Sequence, residues 1–290
     1  MAPRTRTAVH NLPAKMKKNQ LIFSLILCVN PCVAQHKTTI KVSYKYSHPV
    51  QTMRSAVPDV TNAYILLSDG TNSKFYSPRT EFIDSIESTP EGFEAFNTFK
   101  RECWQSGKQK DIPKVDGSFY IIKEGENKTI HTYDVASATR FHFVEPITEI
   151  NWEITDSTKN IIGYDCQLAI GNFHGRRWLS WFTTDIPLQD GPWKLAGLPG
   201  LILAAECEGG QYVFEADGIQ ETYKNMMEVY GKEKWEAIDR KDFWNLRREC
   251  LANPRRNINS QGGNVLVFKN VEYTDHFPVE IVDYIETDYK

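Results

Sequence analysis

The histidines are the residues of this chain whose type and position suit them best to catalysis or metal binding. Six of the seven follow residue 34, namely His36, His48, His131, His142, His174 and His276. A tight hairpin over 135–138 would place His131 opposite His142, where the two rings could supply two ligands to a zinc or copper ion. Such an ion takes at least three protein ligands, so we predict neither a metal site nor a cofactor.

The standard catalytic signatures are absent from the sequence. It contains no GxSxG, no HExxH, no GxxxxGK[ST] and no GxGxxG. We therefore predict no catalytic residues. One alternative stays open, a hydrolase with a non-standard site in which His131, His142 or His174 works with a carboxylate in a cleft.

A second group of chemically capable residues combines an arginine with tryptophans. Arg176 lies close in sequence to Trp178 and Trp181, and arginine beside indole can recognise carbonyl, carboxylate or sugar groups. Together with Leu198 these residues form the predicted ligand-binding set. The alternative is an arginine whose aliphatic stem lies along two core tryptophans.

The stretch 191–207 is the one around which the fold is predicted to form. Residues 195–205 include no acid, base, thiol or hydroxyl. Pro199-Gly200 predicts a type II turn with a positive φ at Gly200. The apolar run 201–205 ends at a turn over 208–211, which predicts a buried strand entering a hairpin.

The remaining patterns predict a mainly β chain with minor α content. We expect one curled antiparallel sheet, similar to a half-barrel, with a helical insertion over 222–252 near the C-terminus. A further helix is predicted over 91–103 and a turn over 156–159. Strands are predicted over 38–47, 63–67, 118–123, 128–133, 140–144, 161–171, 176–184, 211–217, 265–273 and 279–285.

Residues 1–34 have the pattern of a secretory signal peptide. Three lysines (Lys15, Lys17, Lys18) precede a short apolar run over 21–27, and small residues precede Gln35. Met16 begins this pattern, so 1–15 is predicted to lie upstream of the true start. The apolar run is shorter than the roughly 20 residues of a membrane-spanning helix. We predict an exported protein that does not span a membrane, with 35–290 as a single domain.

Charge and cysteine content limit the partners and the chemistry. Residues 35–290 carry 29 Lys and Arg against 37 Asp and Glu, an acidic balance that excludes nucleic acid as the main partner. Four cysteines follow residue 34, and in an exported chain they favour disulfides with three possible connectivities. Cys207–Cys250 is the predicted pair, since these residues flank the helical stretch; four free thiols are the alternative.

Several of these residues together resemble the GLPGLI family of exported proteins from Bacteroidetes-type bacteria. The matching elements are Gly197-Leu198-Pro199-Gly200-Leu201-Ile202, Trp152-x-Ile154, Gly163-Tyr164-Asp165-Cys166, Gly175-Arg176 with Trp178 and Trp181, and a variant ending at Phe277-Pro278-Val279-Glu280. The resemblance implies a sheet-rich exported protein without established catalytic residues, located in the periplasm or at the cell surface. It also implies association with TonB-linked outer-membrane uptake.

The predicted function is accordingly a non-enzymatic binding or accessory component of the envelope. Its predicted partner is a TonB-dependent outer-membrane receptor or an apolar or peptide ligand. Besides the hydrolase, a purely structural surface protein is the other alternative.

Overall fold

A computed structural model describes residues 39–51, 56–113, 117–136, 139–222, 228–252 and 284–289. Across these residues the chain is mainly β with minor α, and twelve strands form one open sheet. The predicted fold class is confirmed. The signal-peptide prediction over 1–34, the strand predicted over 265–273, residues 279–283 of the strand predicted over 279–285, and the 277–280 match lie outside the described residues. Tyr284 and Ile285, the described end of that last predicted strand, are not in a strand.

The strands and helices have the following bounds. The strands are β1 Thr39–Gln51, β2 Ala56–Ser68, β3 Asn72–Tyr76, β4 Tyr120–Glu124, β5 Thr129–Ala136, β6 Thr139–Pro146, β7 Glu153–Ile161, β8 Tyr164–Phe173, β9 Arg176–Thr183, β10 Leu201–Cys207, β11 Val213–Thr222 and β12 Glu236–Ala237. The helices are α1 Pro78–Glu87, α2 Pro90–Gln105 and α3 Arg240–Ala252.

The order of strands in the sheet is β12-β6-β5-β4-β3-β2-β1-β11-β10-β9-β8-β7. Neighbours are antiparallel except β12 and β6, which are parallel. The sheet curls so far that Glu145 on β6 lies 3.6 Å from His174 in the β8–β9 turn, measured between Oε2 and Nε2. β6 is second in the order and β8 is eleventh, so the two halves of the sheet face each other across the core.

The inner face of the sheet is packed with aromatic side chains. On β1, Val42, Tyr44 and Tyr46 are buried and alternate with more exposed neighbours, as the period-two pattern predicts. Tyr46 stacks on Phe214 of β11 with ring centroids 4.5 Å apart. Because these rings fill the space inside the curl, the interior is a packed core.

Two local predictions are wrong. Residues 156–159 belong to β7, where a register irregularity between Ile154 and Thr158 accommodates the polar run within the edge strand. The turn comes later, at Ile162 and Gly163, which both have positive φ. The helical insertion is also shorter than predicted, because β11 continues to Thr222 and α3 begins only at Arg240.

Helix α2 confirms the predicted helix, whereas α1 was not predicted. The α1 start nevertheless has a recognisable sequence signal: Ser77 caps the helix by accepting a hydrogen bond from the Thr80 amide, and Pro78 occupies the first turn. On α2, Phe96 and Cys103 face inward and are buried. No helix among the described residues is long and apolar enough to cross a membrane.

Candidate functional site

The GLPGLI hexapeptide forms a buried corner between β9 and β10. Leu198, Leu201 and Ile202 are buried in the main core. The predicted type II turn is wrong, since the left-handed glycine is Gly197, with φ +90°, and Gly200 does not have a positive φ. Gly200 is required for a different reason: a Cβ there would lie 1.9 Å from the carbonyl oxygen of Thr183 on β9.

Two buried polar side chains hold this corner in place. The Lys123 ammonium donates to the carbonyls of Gly191 (2.9 Å) and Leu195 (3.1 Å) and pairs with Asp190. The Tyr44 hydroxyl donates to the Ile202 carbonyl at 2.6 Å, and burial raises the pKa of that hydroxyl well above its usual value. The Lys123 contacts satisfy two buried carbonyls, of Gly191 and Leu195, that lie outside any strand, and the Tyr44 contact adds a bond to the start of β10.

The structure does not bring the four predicted ligand-binding residues to one surface. Trp178 and Leu198 are 0% and 1% exposed, so an external ligand cannot reach them. Trp181 lies on the opposite face of β9, with the Lys159 ammonium 4.3 Å from the centre of its ring. Arg176 is half-buried and donates through Nε to the carbonyls of Tyr284 and Ile285.

The predicted Cys207–Cys250 disulfide is not formed. Cys103, Cys166, Cys207 and Cys250 are all free thiols. The Cys207 sulfur instead accepts from the Tyr212 amide at 3.4 Å and donates to the Gln211 side-chain carbonyl. Local hydrogen bonding at the β10–β11 turn therefore occupies the thiol that was expected to pair with α3.

His131 and His142 meet, although in a different register from the one predicted. His131 is opposite Val144 and His142 is opposite Tyr133, so the histidines are diagonal neighbours on one face. His131 Nδ1 and His142 Nε2 are 3.1 Å apart, in nearly parallel rings whose centroids are separated by 5.3 Å. Burial, followed by the neighbouring His131, lowers the pKa of His142 to about 4.

This geometry is that of a hydrogen bond between two imidazoles. The two nitrogens face each other, and an ion placed between them would need about 4 Å, since each Zn–N bond is about 2 Å long. Glu124 lies 3.5 Å from the other ring nitrogen of His131, but within the described ranges no third ligand atom lies close to both histidines.

The most concentrated chemistry lies in six charged or titratable side chains that we call the charge cluster. Its members are Glu145, His174, Lys194, Arg240, Glu286 and Asp288. They come from β6, the β8–β9 turn, the loop before the corner, α3 and the C-terminal segment. The cluster thus joins the two halves of the curled sheet.

Lys194 and Glu286 form the centre of the charge cluster. Their ammonium and carboxylate groups are 2.6 Å apart, and their side chains are 0% and 1% exposed. Lys194 also contacts Glu145. The Arg240 guanidinium is 2.6 Å from Glu286 and 3.1 Å from Glu145, while the Trp244 indole donates to Glu286 at 2.9 Å.

Charge pairing decides the protonation of Glu286. Burial alone would raise the pKa of this carboxyl group, but Lys194, His174 and Arg240 outweigh burial and hold the pKa below its usual value. Asp288 follows the same rule, because hydrogen bonds from Arg240 and His174 hold its pKa low. Both carboxylates are therefore ionised at neutral pH.

Part of the charge cluster has the donor set of a metal site. Ligand atoms of Glu145, His174 and Glu286 all lie within 4.8 Å of one another. Lys194 and Arg240 already supply the positive charge between these carboxylates, however, and a divalent cation would have to displace them against repulsion. The arrangement fits an ion-pair network better than a metal centre.

The sequence does not single out Lys194 as a site residue, because apolar residues flank it on both sides. Its position depends on Trp193, which is buried and has a φ of +52°, a conformation that a bulky residue adopts only when packing imposes it. Trp193 packs against Trp178 with ring centroids 5.5 Å apart. A lysine inside an apolar stretch was the only sequence signal of this role.

The clearest solvent-facing feature is a group of aromatic residues on α1 and α2. We call Phe82, Phe93, Phe99 and Trp104 the helical aromatic surface; each is between 39% and 62% exposed. Phe93, Lys100 and Trp104 are spaced seven and four residues apart, which places them on one side of α2. Phe99 lies about 120° round the helix from Phe93, so Phe93 and Trp104 are the two aromatic groups of α2 that are exposed together, as is typical of interaction sites.

An open depression borders this surface at the C-terminal end of α2. It has a volume of about 480 Å³ and is lined by Lys100, Trp104, Gln109, Lys110 and Ile112. A smaller depression of about 230 Å³ lies on the outer face of the sheet and includes Lys45, Lys159 and Glu215. Neither contains a histidine, so neither offers a general base of that type.

The fold and these sites define a mainly β protein with one open, curled sheet and a helical pair that exposes aromatic residues. A family model described as a protein of unknown function, Porph_ging, matches residues 174–204, a range that runs from His174 through Lys194 and the hexapeptide.

Two solved structures of PNGF-II are also similar to the chain. The C2 crystal form has 13% identity and a TM-score of 0.48, and the match covers 72% of this chain and 32% of that one. The P21 form has 13% identity and a TM-score of 0.46, with 72% and 33% covered. The chain thus spans about a third of the length of these structures. No curated protein matches the chain.

Proposed function

We propose that this chain is an exported, non-enzymatic binding or accessory protein of the bacterial envelope, located in the periplasm or at the cell surface. It binds a protein partner through the helical aromatic surface. A TonB-dependent outer-membrane receptor is the partner that the GLPGLI resemblance favours. The observation that carries the proposal is the exposure of four large aromatic side chains on two adjacent helices.

Among the described residues, the interior of the sheet has no comparable surface to which a ligand could bind. The residues beside the corner, including Trp178, Trp193 and Leu195, are at most 2% exposed and pack against one another. An apolar ligand held inside the curl, as in the mouth of a barrel, has no room beside them. Recognition on the outer surface is the interpretation that agrees with this packing.

Two observations bear on the hydrolase alternative. His131 lies 3.5 Å from Glu124, a pair that lines neither depression, and His174 meets three carboxylates. In the structure these carboxylates are paired with Lys194 and Arg240, and the His174 side chain is only 10% exposed. A general base must reach a proton on its substrate. We therefore favour a binding protein.

Crosslinking in the producing cells tests this proposal. A photoreactive phenylalanine analogue placed at Phe93 or at Trp104 is expected to capture the same partner. The same analogue at Ile162, which is 42% exposed in the β7–β8 turn, is the matched control and is expected to capture none. Mass analysis of the chain from these cells is expected to show Gln35 as the mature N-terminus.

The captured partner is then purified and its affinity measured. Trp104→Ala should weaken binding at least about tenfold, as expected for an aromatic anchor. Because Trp104 is 62% exposed, its loss should change the free energy of unfolding by no more than about 0.5 kcal/mol. Equal capture at all three positions, or wild-type affinity of Trp104→Ala, would count against the proposal.

A further inference from the structure

The C-terminal segment Tyr284–Tyr289 lies in a groove built from distant parts of the chain. Arg176 donates to the carbonyls of Tyr284 (3.0 Å) and Ile285 (3.1 Å). The Thr287 amide donates to the carbonyl of His174 at 3.0 Å. The groove therefore recognises the backbone of the segment as well as its side chains.

The side chains of the segment are recognised at alternate positions. Glu286 contacts Lys194, Arg240 and the indole of Trp244. Asp288, two residues later, is bound by Arg240 and by His174, whose Nδ1 lies 3.1 Å from the carboxylate.

Aromatic contacts hold the segment in a bent shape, because the rings of Tyr284 and Tyr289 lie only 6.3 Å apart between centroids. Tyr284 and Tyr289 pack on Trp244, with ring centroids 5.5 and 5.8 Å from that of the indole. The segment binds as a short peptide would, with two carboxylates two residues apart between aromatic side chains.

The groove is organised for a negatively charged occupant. If the segment leaves, Lys194 and Arg240 keep Glu145 as their shared carboxylate, and the Trp244 indole loses its acceptor. Two cations sharing one carboxylate in a desolvated groove favour the binding of further negative charge. Thirty-one residues separate Ala252, at the end of α3, from Tyr284. The contacts described above therefore hold the segment in the groove, and its position in the sequence does not.

We propose that this groove is a binding site for acidic peptides and that Tyr284–Tyr289 is its internal occupant. An external peptide with two carboxylates two residues apart, flanked by aromatic residues, displaces the internal segment. The peptide comes either from a partner protein or from the same segment of a second copy of this chain. An internal occupant lowers the apparent affinity for an external peptide, so weakening the occupant raises that affinity.

Fluorescence anisotropy on the full chain tests the proposal. The probe is a labelled, capped hexapeptide with the sequence of residues 284–289, YIETDY. We expect the probe to bind at least tenfold more tightly to Glu286→Gln than to the wild-type chain. Asp288→Asn is a second variant with a milder effect, because the Asp288 side chain is 38% exposed. It is also expected to bind the probe more tightly than the wild-type chain.

The controls separate recognition from non-specific binding. The same hexapeptide with glutamine and asparagine in place of its acids is expected not to bind. Absence of saturable binding to both variants, or equal binding of the control peptide, would overturn the proposal.

Native mass spectrometry of the wild-type chain at high concentration then identifies the source of the peptide. A dimer that Glu286→Gln abolishes assigns the role to a second copy. A monomer that binds the free probe assigns it to a partner protein.

Discussion

Replacing Lys194 with methionine is expected to lower the free energy of unfolding by about 3–5 kcal/mol. Methionine keeps most of the volume of the lysine stem but removes its charge. Glu145 and Glu286, which are 9% and 1% exposed, would then share Arg240 as the one permanently charged partner left in the charge cluster. Removing one partner of a buried ion pair leaves the other charge desolvated and uncompensated, and this penalty exceeds the value of the pair itself.

Chemical unfolding followed by circular dichroism measures this effect. Lys45→Met is the matched control, because Lys45 is exposed on β1 and its replacement should change stability by no more than about 0.5 kcal/mol. The double variant Lys194→Met, Glu286→Gln should lose less than the sum of the single losses, since it removes both members of the pair. Equal stability of Lys194→Met and Lys45→Met would show that the charge cluster does not hold the sheet together.

Replacing Gly200 with alanine is expected to destabilise the fold by about 3 kcal/mol or more. The new Cβ would lie 1.9 Å from the Thr183 carbonyl oxygen and 2.7 Å from its carbon. Both atoms belong to the backbone of β9, so a side-chain rotation cannot relieve the clash. The corner and β9 would have to move apart, and the pairing of Leu201 with Thr183 would be lost.

Gly218→Ala provides the control for this prediction. Gly218 lies in β11 and has no positive φ, and a Cβ added there would meet no atom within 4 Å. Its replacement should alter stability by no more than about 0.5 kcal/mol. Thermal or chemical unfolding of the two variants makes the comparison, and a tolerated alanine at Gly200 would contradict the close approach of the corner to β9.

Much of the sheet was predictable because its strands carry strong local patterns. The alternation of Val42, Tyr44 and Tyr46 against polar neighbours gave β1, and the apolar run after Gly200 gave β10. Predictions failed where pairing in the sheet outweighed local preference. Residues 156–159 have turn composition but extend as part of an edge strand.

The charge cluster was not predictable from the sequence for a different reason. Lys194 and Glu286 are 92 positions apart, and no local pattern relates them. Lys74 and Lys123 are also buried, at 1% and 6% exposure, although lysine is rarely found inside proteins. Each depends on partners that only the folded chain brings close, such as Glu81 for Lys74 and Asp190 for Lys123.

The sequence correctly indicates that a glycine is required at position 200, but the predicted reason for it is wrong. Pro199-Gly200 suggested a positive φ, whereas the residue is required by the nearness of the Thr183 carbonyl. The close approach arises between β9 and the corner, and a single stretch of sequence does not contain it.

The sheet curls until β6 and the β8–β9 turn meet, and aromatic side chains fill the space between its two halves. The most direct test is the distance between spin labels at Val144→Cys and Asn172→Cys, measured by double electron–electron resonance. Cys250→Ser removes the one described thiol that is not buried, Cys28→Ser and Cys32→Ser remove the two thiols outside the described residues, and singly labelled chains are the control. In a flat sheet, nine strand spacings would separate β6 from β8 by about 43 Å. The curled sheet predicts one narrow distribution below about 25 Å, and a distribution centred near the flat-sheet distance would contradict it.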